Sequence, residues 1–280
     1  MRRLSGLILL LLLHLSLHAQ SEAEEIPCTM NEGTLIGIGS SHVKDSYLSP
    51  FNYSGWGLRI MNERIKNLDG GHFSRQQIIN ADISSTENPA ENVTEFGAFI
   101  DYSLGYHYRF HVAPSFRILA GTSAHLMGGF LYNTRNGNNP LSAKVDIDLN
   151  LSMLMFWNVR IKEFPLTFRY QVETPFSGIF FAPAYGASYY EMFNVGNLSD
   201  VIEFNSFHNK FAIKNYLTLD IPLKSSKLRI GYLSSIYKTD VKEIESHIIS
   251  HTFMIGWVKE FIPLGGKRSG NTIRAHSPFY

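Results

Sequence analysis

From Ala143 to Ile161 every second residue is apolar: Ala143, Val145, Ile147, Leu149, Leu151, Met153, Met155, Trp157, Val159 and Ile161. The residues between them are Lys144, Asp146, Asp148, Asn150, Ser152, Leu154, Phe156, Asn158 and Arg160. A helix would scatter those polar side chains over several faces, whereas a strand puts them all on one side. The period recurs in Glu95–Phe110, around Leu166–Glu173, and in Phe211–Ile221, Leu228–Ile236 and Ile249–Trp257. Softer alternation marks 34–43, 54–65, 73–84 and 115–132. Ten strands are expected.

The breaks between them fall near 44–53, 66–72, 85–94, 110–115, 133–142, 161–165, 174–206, 222–226 and 238–247. Long and short connections alternate, which is the habit of an antiparallel outer-membrane barrel with short periplasmic turns and longer extracellular loops. A soluble sandwich or a lipocalin-like barrel shares the alternation but turns its apolar set inward. Three features set the membrane version ahead. Aromatics gather near strand ends, as at Tyr106, Tyr108, Trp157, Phe168, Tyr170, Trp257 and Phe261. The polar faces carry opposite charges and small residues at close spacing, which suits a crowded lumen. Finally, no linker or composition break divides the body. The expected fold is therefore an all-β, ten-stranded antiparallel transmembrane barrel over residues 33–261.

The inward set read by parity includes Arg59, Glu63, Asp82, Asp101, Arg109, Arg117, His125, Lys144, Asp146, Asp148, Arg160, Arg169, Glu173, Lys214, Asp220 and Arg229. A bore ten strands wide cannot hold so many charges and stay open, so they are expected to pair and to block diffusion.

Residues 1–19 read as an address rather than as structure. Arg2 and Arg3 precede an apolar run from Leu7 to Leu13, and Ala19 supplies the small residue of a cleavage site. Residues 20–32 are then a short periplasmic segment and 262–280 a basic flexible tail. The chain has 280 residues, with Lys plus Arg at 25 and Asp plus Glu at 24. That balance leaves no positive field for a nucleic-acid backbone. The single cysteine, Cys28, excludes an internal disulfide framework and a cysteine zinc cluster. No motif asks for a metal or a cofactor. Expected partners are outer-membrane lipid, the barrel-assembly machinery and periplasmic chaperones; a small-molecule ligand is left unidentified.

Catalytic candidates are thin. Asp146 and Asp148 lie two apart on the lumen face and could position a water as general base, with His125 or His208 as partner. The plainer reading pairs both acids with Lys144, Arg117 or Arg169. Ser206 and His208 share a strand face by parity, with Asn209 adjacent, in the manner of a nucleophile, a base and an orienting amide; Ser40-Ser41-His42 repeats the spacing by chance. His247 and His251 stand about 13 Å apart in an extended chain, too far to share an ion. The connection 174–206 is dense in aromatics, from Phe176 to Phe193, as no ordinary solvated loop is. It must fold onto something. Its Tyr185, Tyr189, Tyr190 and Glu191 are the candidates for an apolar or glycan ligand.

Two stretches of this chain, Asp45-Ser-Tyr-Leu-Ser-Pro50 with Tyr53-Ser-Gly55, and Phe181-Ala-Pro-Ala-Tyr-Gly-Ala-Ser-Tyr-Tyr-Glu-Met-Phe193, resemble a Bacteroidales family of secreted proteins. That family is catalogued as a domain of unknown function and held to form outer-membrane barrels. The resemblance covers about 33–261 and implies the barrel, but it brings no activity and no catalytic residue. Both motifs fall on connections assigned to the outside, where they can pack together. The role expected is structural or ligand-binding rather than catalytic. Its rivals are a barrel hydrolase acting on lipid or peptide and a narrow conduit for a small or apolar solute.

Overall fold

A computed structural model describes residues 30–68, 72–162, 164–184, 189, 201–223 and 226–261. The expected signal peptide, residues 20–29 and the 262–280 tail lie outside them. The described chain is almost entirely strand: β1 (Met30–Asp45), β2 (Ser49–Asn67), β3 (Phe73–Glu87), β4 (Thr94–Ala113), β5 (Phe116–Asn133), β6 (Leu141–Ile161), β7 (Phe164–Phe181), β8 (Ile202–Asn205), β9 (Lys210–Pro222), β10 (Lys227–Val241) and β11 (Ile244–Phe261). Consecutive strands pair antiparallel, except that β8 and β9 both pair with β7, and β1 closes the ring on β11 from Met30↔Phe261 to Asp45↔Ser246. Ten long strands make the closed barrel. The four-residue β8 adds to the far end of β7, and β9 takes over that edge lower down.

The strands run further than alternation alone suggests. At one end, here the turn end, β2–β3, β4–β5, β6–β7 and β9–β10 are joined by short connections. At the other, the loop end, β1–β2 needs only residues 46–48 and β10–β11 only Lys242 and Glu243. The expected long first and ninth connections are therefore mostly strand. Lys242 and Glu243 have φ of 52° and 65°, the left-handed geometry of a tight two-residue hairpin whose twist matches its strands. Residues 174–181, expected in the seventh loop, continue β7 instead. Pro175 sits within that extension at a register shift opposite Leu149 and Asn150, a bulge that tolerates a residue without an N–H.

The two faces are the inverse of a water-soluble barrel. Ile36, Ile38, Ile60, Ile83, Ile100, Ile147, Leu151, Phe253 and Ile255 are exposed on the outer wall. Exposed aromatics mark both ends: Phe73, Tyr108, Phe110, Trp157, Phe164 and Trp257 at the turn end, and Phe51, Phe96, Phe130, Tyr132, Phe204 and Phe211 at the loop end. Inside, Glu63, Asp101, Arg109, His125, Lys144, Asp146, Asp148, Arg169, Glu173, Asp220 and Arg229 are buried. Parity assigned these correctly. Arg160, also read as inward, is exposed, because it lies where β6 leaves the bore near the turn end.

The turn-end half of the bore is solid. Ile65, Leu119, Leu154 and Phe156 form an apolar cluster across it. Against that cluster sits a charge-balanced network of two arginines and two acids. Arg169 binds Glu63 through both terminal nitrogens (2.6 and 2.5 Å). Arg229 adds a 2.7 Å contact to Glu63 and grips Asp220 at 2.6 and 2.7 Å. Gln76 donates to Glu63 at 2.6 Å and exchanges hydrogen bonds with Gln171 at 2.8 and 2.9 Å. Two-pronged guanidinium–carboxylate contacts are the strong, directional kind. Glu63 thus answers two buried cations at once. Its removal takes that carboxylate from Arg169 and leaves Arg229 to Asp220, and breaking such a buried pair costs about 3–5 kcal/mol. Glu63→Ala is therefore expected to lower the unfolding free energy by about that much in a denaturant titration of the barrel in detergent. A loss below about 1 kcal/mol would deny the network this part.

Candidate functional site

Above the seal the lumen widens into a cavity with about 130 Å³ open to the centres of water-sized molecules. Its charged wall is built by alternation on neighbouring strands. Asp146 and Asp148 point inward from β6, His125 from β5 and Asp101 from β4, with Glu173 from β7 and Lys210 and Lys214 from β9. Lys210 Nζ lies 2.9 Å from Asp146 Oδ2 and 2.7 Å from Asp148 Oδ2, so one ammonium holds both acids. The free oxygens are also taken: Asn205 donates to Asp148 Oδ1 at 3.0 Å and the Tyr237 hydroxyl to Asp146 Oδ1 at 3.3 Å. His125 Nδ1 is 3.7 Å from Asp148 Oδ2, and its Nε2 is 3.4 Å from Asp101 Oδ1. Lys214 Nζ is 3.0 Å from both Asp101 Oδ1 and His125 Nε2. The line Asp146–Lys210–Asp148–His125–Asp101–Lys214 is thus one polar chain along the wall.

The structure does bring Asp146, Asp148 and His125 together. Their basic partner is Lys210, not Lys144, Arg117 or Arg169 as local reasoning has it. Lys144 goes to Asp45 at 2.8 Å and Arg169 to Glu63. Which cation crosses a lumen depends on how the strands stagger around the ring, and parity along one strand does not carry that. With an ammonium on both carboxylates and further donors on each, the pair is arranged as an ion-paired wall rather than as a free base. Among the described residues no group of three or more His, Cys, Asp or Glu is placed to hold a metal ion.

Ser206 and His208 do not share a strand face. They fall in the turn at 206–209 that separates β8 from β9. Ser206 Oγ donates to the Phe176 carbonyl at 2.9 Å, while His208 is exposed and stacked on Phe204. Asn209 accepts from the Ser206 N–H at 3.1 Å and donates to the Phe204 carbonyl at 2.9 Å, the work of a turn-closing residue. His247 lies 3.0 Å from Glu245, and His251 meets the Tyr232 hydroxyl at 2.8 Å on the outer wall.

Of the loop candidates Tyr185, Tyr190 and Glu191 lie outside the described residues. Tyr189 is described and faces inward. Its hydroxyl accepts from the Ala143 N–H at 2.6 Å, and its ring stacks on Phe181 and meets Tyr47 edge-on at 6.3 Å. The two quoted sequence motifs do pack together here. Tyr47 joins Val43, Leu48, Tyr53, Val93, Leu131 and Ile244 in an apolar lid over the loop end. Burial pushes the Tyr189 hydroxyl up to about 12 and raises that of Tyr47, so both stay neutral inside the lid.

A family model described as "Protein of unknown function (DUF3316)" matches residues 6–268. No curated protein matches the chain. Solved structures with a similar fold include the outer membrane protease OmpT from Escherichia coli, with TM-score 0.43, 9% identity, and coverage of 87% of this chain and 99% of that one. The transport unit of the autotransporter AIDA-I from Escherichia coli gives TM-score 0.43 and 10% identity over 88% of this chain and 93% of that one. Ail, the attachment invasion locus protein of Yersinia pestis, gives TM-score 0.28 and 10% identity over 82% and 98%. At these identities no residue role passes from any of them to a position here.

The two candidate groups separate in a stability assay. Lys210→Ala leaves two buried carboxylates without their cation and is expected to cost about 3–5 kcal/mol. His208→Ala, exposed in its turn, is expected to change stability by less than about 0.5 kcal/mol. Comparable unfolding midpoints for the two variants would contradict this division.

Proposed function

The chain belongs to this DUF3316 family of proteins of unknown function, and from that premise we propose that it is an outer-membrane barrel of a Gram-negative bacterium with a blind lumen, serving a structural or ligand-binding role. The motif resemblance adds a Bacteroidales source, and the basic start and apolar run of residues 2–19 add export by an N-terminal signal, to the same reading. The apolar outer wall with aromatics at both ends supports residence in lipid, where a closed sheet also leaves no backbone edge unpaired.

The observation that carries the blind lumen is the packing of its turn-end half. Side chains at most 2% exposed reach into it from every stave of the barrel: Leu35, Glu63, Ser74, His107, Leu119, Leu154, Arg169, Thr218 or Asp220, Arg229 and Val258. An open pore would leave such groups wet. What remains above is a pocket between the seal and the Tyr47–Tyr189 lid, which suits retention of a small molecule better than its passage. The hydrolase reading has less support, since the paired acids are neutralised and Ser206 is bound to a backbone carbonyl.

Two measurements test this. Refolded in detergent, the protein should migrate faster on a gel unheated than boiled; folding in plain buffer would overturn residence in lipid. In planar bilayers it should pass no steady current, and deleting residues 184–200 should leave it closed, because the seal lies at the opposite end. A conduit gated by that loop would instead open on the deletion.

A further inference from the structure

The cavity has two unlike walls. Round the ring from β4 to β9 it is lined by Asp101, His125, Asp146, Asp148, Glu173 and Lys214. From β10 through β11 and β1 to β3 the charges thin out, and Leu233, Ile248, Met61 and Ile78 line the cavity among serines and other small polar residues. Arg59 and Asp82 on that side bind each other. β7 stands five staves from β2 in a ring of ten, so Glu173 and Met61 come from opposite sides of the bore.

Glu173 differs from the other acids of the cavity. Lys214 serves Asp101, Lys210 serves Asp146 and Asp148, and Arg59 serves Asp82. Glu173 is 5% exposed, and its Oε1 is held by neutral donors alone: Ser103 at 3.3 Å, Asn150 at 3.1 Å, and Ser123. Its Oε2 accepts no hydrogen bond from the described residues, and Glu173 lines the cavity. A desolvated carboxylate favours a cation as partner; Lys214, opposite Glu173 on the neighbouring strand, acts on it through space but gives its hydrogen bonds to Asp101 and His125. Five carboxylates line the cavity (Asp82, Asp101, Asp146, Asp148 and Glu173) against three permanent cations, Arg59, Lys210 and Lys214. That balance repels anions.

We propose that the lumen cavity binds a small organic ammonium ion, its charged head on Glu173 Oε2 and its hydrocarbon body against Met61, Ile78, Leu233 and Ile248. A bare inorganic cation would make no use of those four apolar side chains. At about 10–15 Å³ for each water-sized unit the space holds about ten, which matches a molecule of roughly that many heavy atoms. Entry is from the loop end, since the turn end is solid. The inference rests on the lumen-pocket reading above.

The test is calorimetric titration of the refolded protein in non-ionic detergent with 2-phenylethylammonium chloride, and with 2-phenylethanol and potassium chloride as counterparts. The ammonium should bind at least ten-fold tighter than the alcohol, and potassium should not displace it. Glu173→Gln keeps the oxygen that Ser103, Ser123 and Asn150 hold. It should weaken the ammonium at least ten-fold and leave the alcohol unchanged. Equal affinity for ammonium and alcohol, tight potassium binding that displaces the ammonium, or an unchanged Glu173→Gln overturns the proposal. The wild-type comparison decides even where Glu173→Gln does not refold. A heat-modifiable, non-conducting barrel that ignores the ammonium defeats this inference alone, whereas a soluble or conducting protein defeats the reading beneath it.

Discussion

In a closed ten-stranded sheet every inward side chain must find its partner on another stave, because only side chains fill so narrow a bore. Charges buried there cannot be hydrated cheaply, so they must cancel within contact distance. The Glu63–Arg169–Arg229–Asp220 group meets that demand, with two cations and two anions all at most 2% exposed. Its members come from β2, β7, β9 and β10, so it ties opposite walls together. The cluster of Ile65, Leu119, Leu154 and Phe156 beneath it fills the remaining space with hydrocarbon, which needs no partner at all.

Above this floor the same demand is met less completely, and the asymmetry is what gives the pocket a chemical character. Lys210 is divided between two acids, and Lys214 between an acid and an imidazole. Glu173 relies on hydroxyls and an amide. The lid of Tyr47, Tyr53, Leu48 and Tyr189 then separates this uneven middle from the outside. Seal, pocket and lid are three layers of one lumen, distinguished by how well each satisfies its own charges.

The fold was legible in the sequence to the extent that it depends on period two. Alternation along 143–161 placed Lys144, Asp146 and Asp148 inside, and they are inside. It also placed Leu154 and Phe156 on that inward face, and they form the floor of the bore. What period two does not contain is the stagger between strands that never pair. Lys210 therefore went unrecognised as the partner of Asp146 and Asp148, and the role of Glu173 depended on neighbours from β4, β5 and β6. Strand ends were misjudged where Pro175 and glycine-rich or polar segments imitate loops. The Ser206–His208 spacing looked like a shared face only because the break at 206–209 leaves no mark in polarity.

The seam between β1 and β11 joins residues separated by as many as 231 positions, Met30 to Phe261. Hairpin contacts elsewhere in the ring are local and can form as soon as two neighbouring strands exist, but this one waits for the whole chain. Loop-closure entropy makes such distant pairings late and slow. Until they form, β1 and β11 each present a long row of unpaired amides and carbonyls, an invitation to pair with another chain. Closure is thus the step at which the nascent barrel is most exposed to aggregation. The register of one sixteen-residue zipper decides whether Leu35 and Met254 meet inside or are turned outward by a single-residue slip.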